Sequence, residues 1–356
     1  QGSPIAGSVS IDTECTPMMG VGQNASYLSN KTVATGFRVY SLMNYKSLLF
    51  LDGKEKNSQN ANGTFDGTAL FDRYTGNMIV GGENGALYTV DFGDTLGENR
   101  IFDAVAGTIT ITPTVQRYMG IAKGEKKANT AIESSVAVYN NYAYFADSAG
   151  ILQCVDLNTL SPLWAVDLGD NTDSTVALDC PDENTVALYV GNTIDNQGRR
   201  GVCTIRRLNA LTGETVWEKP LEGVAYDGAM EAGCVASPIV GRNSLSDVVI
   251  FTVSNGEAGG MMLALDKKSG NIVWQKDFPA YSHSSPVAVY NEAGDAWILQ
   301  GDSSGLMYLL SGKDGSTLAT LQLEGSIIGS PAVYKNMLVI GTSGKDASKI
   351  YGIRIE

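Results

Sequence analysis

Histidine occurs once in this chain of 356 residues, at position 283. Chemistry that needs two imidazoles, such as a histidine-rich metal centre, is therefore excluded. The five cysteines (15, 154, 180, 203 and 234) include no adjacent pair and no C-x-x-C, so zinc-type spacing is absent as well. Their odd number leaves at least one thiol unpaired. A disulfide among Cys180, Cys203 and Cys234 is compatible with the sequence, while Cys154 reads as a small core residue. No apolar run approaches the ~18 residues of a membrane helix, so no transmembrane segment is expected. The apolar runs, such as SLLFL (47–51) and VVIFTV (248–253), have strand length. Basic charge is scarce: 25 Lys and Arg against 38 Asp and Glu give a formal net charge of −13. This argues against nucleic acid and anionic membrane surfaces as partners, and favours solubility by self-repulsion. The chain starts QGSPIAG, with neither Met nor a basic–apolar–small leader. We expect a trimmed secretion signal or lipoprotein anchor upstream, hence a secreted, cell-surface or periplasmic protein.

What is abundant is glycine, at 41 residues, and repetition. Several segments share one order of events: a start such as S-P-apolar, a short strand, a strongly apolar strand, a turn rich in Gly, Ser and Asp, a third strand, and a D-x-x-[ST]-G turn into a last strand. The copies at 236–278 and 284–323 are the clearest, and the copy at 329–355 stops before its last strand. Others lie at 134–168, at 174–221 with an enlarged hairpin, at 67–93, and, diverged, at 15–53. β-Branched and aromatic residues alternate in stretches such as YAYFADS and NMLVIGTS, and no amphipathic helix is evident. Four short antiparallel strands every ~40–50 residues predict an all-β fold, a β-propeller of four-stranded blades. We place seven blades (eight being the alternative) in one domain over 1–356, at 15–53, 67–110, 134–170, 174–222, 236–279, 284–324 and 329–356. The segment 8–12 is expected to close the last blade as its missing strand.

Three of the four tryptophans end the same phrase: CVDLNTLSPLW (154–164), RLNALTGETVW (207–217) and ALDKKSGNIVW (264–274). In each copy the turn is expected to join the third and fourth strands. Asp156 or Asp266 can accept backbone N–H bonds there, and Gly213 or Gly270 can supply positive φ. Trp164, Trp217 and Trp274 then fall on the outer strand, placed to lie against the neighbouring blade. Burying about 200 Å² each at roughly 25 cal/mol/Å² would contribute up to about 5 kcal/mol. The phrase resembles the tryptophan-docking motif A-x-D-x-x-T-G-x-x-x-W of the PQQ-like propellers, the repeat family of the quinoprotein dehydrogenases. The resemblance covers most of the chain and is degenerate at 309–319, where Ser311 replaces Asp and Ala319 replaces Trp. It implies an oxidoreductase with PQQ, Ca²⁺ and a vicinal disulfide in an axial funnel, or a non-enzymatic scaffold such as the outer-membrane lipoprotein that helps assemble β-barrels. The chain has no Cys-Cys pair, and no segment accepts the quinone-site residues.

Other motifs dissolve on inspection. GDSSG (301–305) fits the nucleophile elbow around Ser303, but it aligns with ADSAG (146–150) and GGENG (81–85), which read as hairpin turns. His283 alone could serve Ser303 as a base. GTSGKDAS (341–348) lacks phosphate-loop spacing. Carboxylates in turns (Asp147, Asp170, Asp173, Asp302, Asp346) read as turn caps, with Ca²⁺ binding as the alternative. Glycosylation sequons start at Asn24, Asn30 and Asn62. Long connections at 54–67, 111–133, 222–233 and 279–284 are expected on one face, with Tyr118, Tyr226, Met230, Tyr281 and His283 as candidate partner-binding residues. The expectation is a monomeric binding or assembly scaffold of the cell envelope, recognising a protein or glycan and using no cofactor. The alternative is a PQQ-dependent oxidoreductase.

Overall fold

The computed structural model describes residues 9–12, 17–23, 35–54, 63–73, 75–93, 100–103, 105, 108–121, 130–182, 185–226, 231–256, 259–344 and 348–355. The chain is all-β. One 3₁₀ turn, Asn243–Leu245, is the only helical element among these residues, and no helix is long and apolar enough to cross a membrane.

Two compact units, Gln1–Thr172 and Asp173–Glu356, divide the chain. The first holds three four-stranded antiparallel sheets. They comprise Ser10–Asp12, Met18–Gln23, Gly36–Ser41 and Ser47–Asp52; then Leu70–Phe71, Asn77–Gly81, Ala86–Asp91 and Thr114–Met119; then Ala137–Tyr139, Tyr142–Ala146, Ile151–Asp156 and Ser161–Asp167. The second unit holds two four-stranded sheets built of Ala177–Asp182, Thr185–Gly191, Arg200–Asn209 and Thr215–Ala225, and of Ile239–Val240, Val248–Asn255, Gly259–Asp266 and Ile272–Phe278. A sixth sheet (Val287–Tyr290, Ala296–Gly301, Leu306–Ser311, Thr317–Gln322) and a three-stranded seventh (Ala332–Tyr334, Met337–Thr342, Lys349–Arg354) complete it. Each of these sheets is one blade of a β-propeller, seven among the described residues.

Second strands such as VVIFTVSN are buried on both faces, while fourth strands such as TLATLQ are exposed throughout. Each apolar core therefore lies between consecutive sheets. Phe37, Phe65 and Tyr88 fill one, Tyr189, Phe251 and Leu263 another, and Leu299, Leu338 and Ile340 a third. This is the nearest-neighbour packing of a repeat fold.

The turn before the fourth strand repeats in detail in the first, fourth, fifth and sixth sheets. In the fifth sheet Asp266 Oδ1 accepts the Ser269 N–H at 2.7 Å, the Gly270 N–H bonds Asp266 O at 2.9 Å, and Gly270 has φ +71°. The same backbone bond closes Asn209–Gly213 at 2.8 Å, Ser311–Gly315 at 2.9 Å and Ser41–Tyr45 at 2.8 Å. One register shift precedes each turn, as at Ala264/Leu265, Arg207/Leu208 and Leu309/Leu310. It brings Trp274 opposite Ala264 and Trp217 opposite Arg207. Both indoles then reach the next sheet. Trp217 Nε1 donates to Lys267 O at 2.9 Å and Trp274 Nε1 to Gly312 O at 3.2 Å. A Cβ at Gly270 would stand 2.8 Å from the Trp217 ring, and one at Gly315 2.7 Å from the Trp274 ring. In the sixth copy Ala319 stands where the indole would be. A cavity of about 220 Å³ opens there, lined by Leu309, Ala319, Leu321, Leu338, Ile353 and Ile355 among others.

The start of each copy forms a second joint. Backbone N–H groups donate to a hydroxyl one copy on: Thr68 to Ser135 at 2.9 Å, Thr175 to Ser237, Ser237 to Ser285 and Ser285 to Ser330, each at 3.0 Å.

Two expectations need correction. Ser10–Asp12 pairs with Met18–Gln23 in the first sheet and does not complete the seventh, which has three strands among the described residues. Only residues 13–17 separate the two strands, and closing so short a loop costs less entropy than a chain-long pairing. The second blade does not end at 110. A hairpin, Arg100–Asp103 with Thr108–Ile111, is inserted, and the fourth strand follows at Thr114–Met119 inside the supposed loop. A turn of the same form, with the Gly76 N–H on Asp72 O at 2.9 Å, occurs at DRYTG (72–76), where it joins the first and second strands of its sheet.

Candidate functional site

Connections between sheets are stitched to the turns between second and third strands. In the second unit the Ile194 N–H donates to Ala232 O at 3.1 Å, and the Cys234 N–H to Asn192 O at 3.2 Å. Gly233 and Ser254 exchange both backbone bonds at 2.9 Å. The Ser303 N–H donates to Tyr281 O at 3.0 Å and the Ile327 N–H to Asp302 O at 3.1 Å. A connection held on both sides is a rigid mount for the side chains it carries.

These mounts gather one cluster. Carboxylates of Asp173, Asp195 and Glu231 each offer an oxygen, and these oxygens lie within 4.8 Å of one another. His283 Nε2 lies 3.0 Å from the Glu231 carbonyl oxygen. A carbonyl only accepts, so Nε2 carries a proton and donates it to that oxygen. Burial holds the His283 pKa below 6.5, opposed by its bond to Glu231 and by the Asp195 charge. The Tyr281 ring packs against the imidazole at a tilt of 49°, with centroids 5.2 Å apart.

Behind the cluster a buried network fixes the 281–284 connection. Gln300 Nε2 donates to Ser282 Oγ at 2.6 Å and to Ser284 O at 2.8 Å, while Gln300 Oε1 accepts from Thr252 Oγ1 at 2.8 Å. Ser254 Oγ donates to Ser282 O at 2.9 Å. Gln300 is fully buried. In so dry a place each of these bonds restricts the connection strongly.

Of the residues singled out in the sequence, Tyr281 and His283 come together here. Tyr226, 38% exposed, follows the strand Thr215–Ala225 with its N–H on Arg199 O at 2.9 Å. Tyr118 belongs to the first unit and to a strand, not a loop. It is buried there, its Oη donates to Gln153 Oε1 at 2.9 Å, and burial pushes its pKa up to about 12. Met230 lies outside the described residues, as do Cys15, Asp346 and the sequon asparagines Asn24, Asn30 and Asn62. Asp195 and Glu231 were not singled out. They come from a hairpin turn and a connection well apart in sequence, so only the fold brings them together.

Chemically, the carboxylates offer hard oxygen donors of the kind Ca²⁺ or Mg²⁺ takes. With Tyr281 and His283 they form an acidic, aromatic surface suited to recognition. No hydrogen bond joins Ser303 to His283. Ser303 sits in the turn between Ala296–Gly301 and Leu306–Ser311, where Asp302 Oδ1 accepts the Ser304 N–H at 2.9 Å and Gly305 has φ +85°. The GDSSG stretch is thus a hairpin turn, with a strand where a nucleophile elbow needs a helix.

The first unit repeats the theme. Glu83, in the turn between Asn77–Gly81 and Ala86–Asp91, is buried, and its pKa is pushed up to about 7. Burial is the main cause, and the nearby carboxylates of Asp66 and Glu133 add to it.

Residues 202–293 and 258–354 match the family model described as outer membrane protein assembly factor BamB. The chain is 26% identical over 248 residues to the outer membrane protein assembly factor BamB of Burkholderia pseudomallei (strain K96243), an alignment covering 65% of this chain and 56% of that relative. It thus spans little more than half the length of the curated relative it matches. The crystal structure of BamB from Moraxella catarrhalis is similar at a TM-score of 0.61 and 14% identity, over 96% of this chain and 83% of that one. At such identity the likeness shows the fold.

Proposed function

The chain belongs to the PQQ-like β-propeller repeat family, and on that premise we propose that it is a binding and assembly scaffold of the cell envelope. Its partner on this reading is a protein, with a glycan as the alternative ligand of the same surface. The observation that carries the proposal is the cluster of Asp173, Asp195, Glu231, Tyr281 and His283. Its connections are hydrogen-bonded to turns on both sides and backed by the buried Gln300 network. Such a surface is organised before a partner arrives, so little side-chain entropy is lost on binding. A net charge of −13 favours a partner segment bearing Lys or Arg. The reading needs no catalytic group and no cofactor. The matched family model and the curated relative named as an assembly factor support it.

The test is capture from a native cell envelope, followed by titration of the captured partner. Substituting Tyr281 by Ala should weaken binding by roughly 10- to 30-fold, as the loss of a central aromatic contact of about 1.4–2 kcal/mol. Binding unchanged by Tyr281→Ala, Glu231→Gln and Tyr226→Ala alike would remove the proposed face. Calorimetric titration with PQQ, with and without Ca²⁺, addresses the oxidoreductase alternative. Saturable micromolar binding there would replace the scaffold reading.

A further inference from the structure

Cys203 and Cys234 face each other with their sulfurs 3.4 Å apart, both fully buried. Cys203 lies in the strand Arg200–Asn209, and Cys234 in the connection that leads to the fifth sheet. The Cys234 backbone is bracketed by its own bond to Asn192 and by the paired bonds of Gly233 with Ser254. Space for its side chain is reserved: a Cβ at Gly191 would stand 2.4 Å from the Cys234 sulfur. Neither thiol has another hydrogen-bond partner, and Phe251, Ile205 and Ala232 belong to the same apolar cluster.

We propose that Cys203 and Cys234 are a disulfide site, cross-linked when the chain meets a disulfide oxidant. The sulfurs need to close by about 1.3 Å to reach the ~2.05 Å of a bond. The reaction is thiol–disulfide exchange. One cysteine thiolate attacks a sulfur of a small disulfide such as oxidised glutathione and releases one glutathione thiolate. The second cysteine thiolate attacks the mixed disulfide and releases the other. Two thiols are oxidised, one disulfide is reduced, and the two cysteine protons leave with the released thiolates. The neighbouring Cys203 thiol and full burial push the Cys234 thiol well above its ordinary range. Attack therefore belongs to folding or to a local opening of the 231–234 connection, not to the closed native state. Once made, the bond ties that connection to the strand behind it and fixes the mount that carries Glu231.

The test uses the whole purified chain, refolded with oxidised and reduced glutathione, denatured, alkylated and digested without reductant. It needs no partner, so its outcome is independent of the scaffold reading. The expected result is one peptide pair joining Cys203 to Cys234, two hydrogens lighter than the separate peptides, with Cys154 and Cys180 alkylated. The oxidised chain should melt about 5–10 °C above the reduced one. That difference between oxidised and reduced samples should vanish within the Cys203→Ala variant, whatever its baseline stability. Alkylation of both Cys203 and Cys234 after refolding would overturn the proposal. So would pairing of either with Cys15, Cys180 or glutathione.

Discussion

Substituting Gly315 by Ala tests how the sheets are joined. Gly315 has φ +71°, and an added methyl carbon would lie 2.7 Å from the Trp274 ring. The left-handed backbone alone costs an L-residue about 1–2 kcal/mol, less about 0.4–1 kcal/mol returned by a stiffer unfolded chain. Forcing the methyl into the indole adds about 1–3 kcal/mol. Gly315→Ala should therefore destabilise by about 1–5 kcal/mol. Trp274 is buried and hydrogen-bonded, so Trp274→Ala should cost about 3–5 kcal/mol. In the double variant the methyl meets no ring and only the backbone cost survives. The two changes together should thus cost about 1–3 kcal/mol less than their sum. Urea unfolding of the four proteins, followed by tryptophan-independent circular dichroism, measures this coupling. Additivity within about 0.5 kcal/mol would refute the stacking argument. So would a Gly315→Ala variant as stable as the parent.

Ala319→Trp should raise the melting temperature, by about 1–2 kcal/mol of added stability, because the indole enters a cavity of about 220 Å³ already walled by Leu309, Leu338 and Ile353. A lower melting temperature would mean that the space is not the counterpart of the other indole sites. Glu83 offers a pH signature. Its folded pKa of about 7 lies above the reference value of 4.5, so the folded state holds the proton more tightly. The stability this gives is complete below about pH 4.5 and is lost as pH rises through 7. Glu83→Gln should accordingly stabilise the chain by about 1–2 kcal/mol at pH 8, after discounting for solvent, and by little at pH 4.5. An equal effect at both pH values, read by thermal melts, would show that no proton is involved.

The repeat was legible because its joints are written in residues with narrow uses. A Trp closing a polar turn and a hydroxyl opening each copy mark where sheets touch. The turn survives where its residues do not. Tyr45 and Leu160 take positive φ, 58° and 48°, at positions where other copies have Gly. There the bulge and the pairing around it impose the geometry, against a local preference. Placement was less legible than local form. DRYTG makes its turn wherever it stands, but whether that turn opens or closes a sheet depends on partners the five residues do not contain. Thr114–Met119 is mostly exposed and has neither phrase nor Trp, so only its pairing with Ala86–Asp91 marks it as a fourth strand. The candidate site was half legible. Tyr281 and His283 stand out by rarity and position. Asp195 and Glu231 are ordinary acidic residues until the fold sets them beside Asp173.

The joints also bear on how such a chain can change its length over generations. Copies such as the fourth and fifth carry an indole for the next copy, and the fifth a glycine for the previous one. A gene segment encoding the fifth copy could be duplicated or lost by unequal crossing-over, and the neighbours on either side would find a matching surface waiting. The sixth copy, with Gly315 but Ala319, receives without giving. Duplicated into the interior, it would leave a hollow behind it. Recombination should thus favour copies that both give and receive an indole, such as the fifth, over the sixth, which only receives.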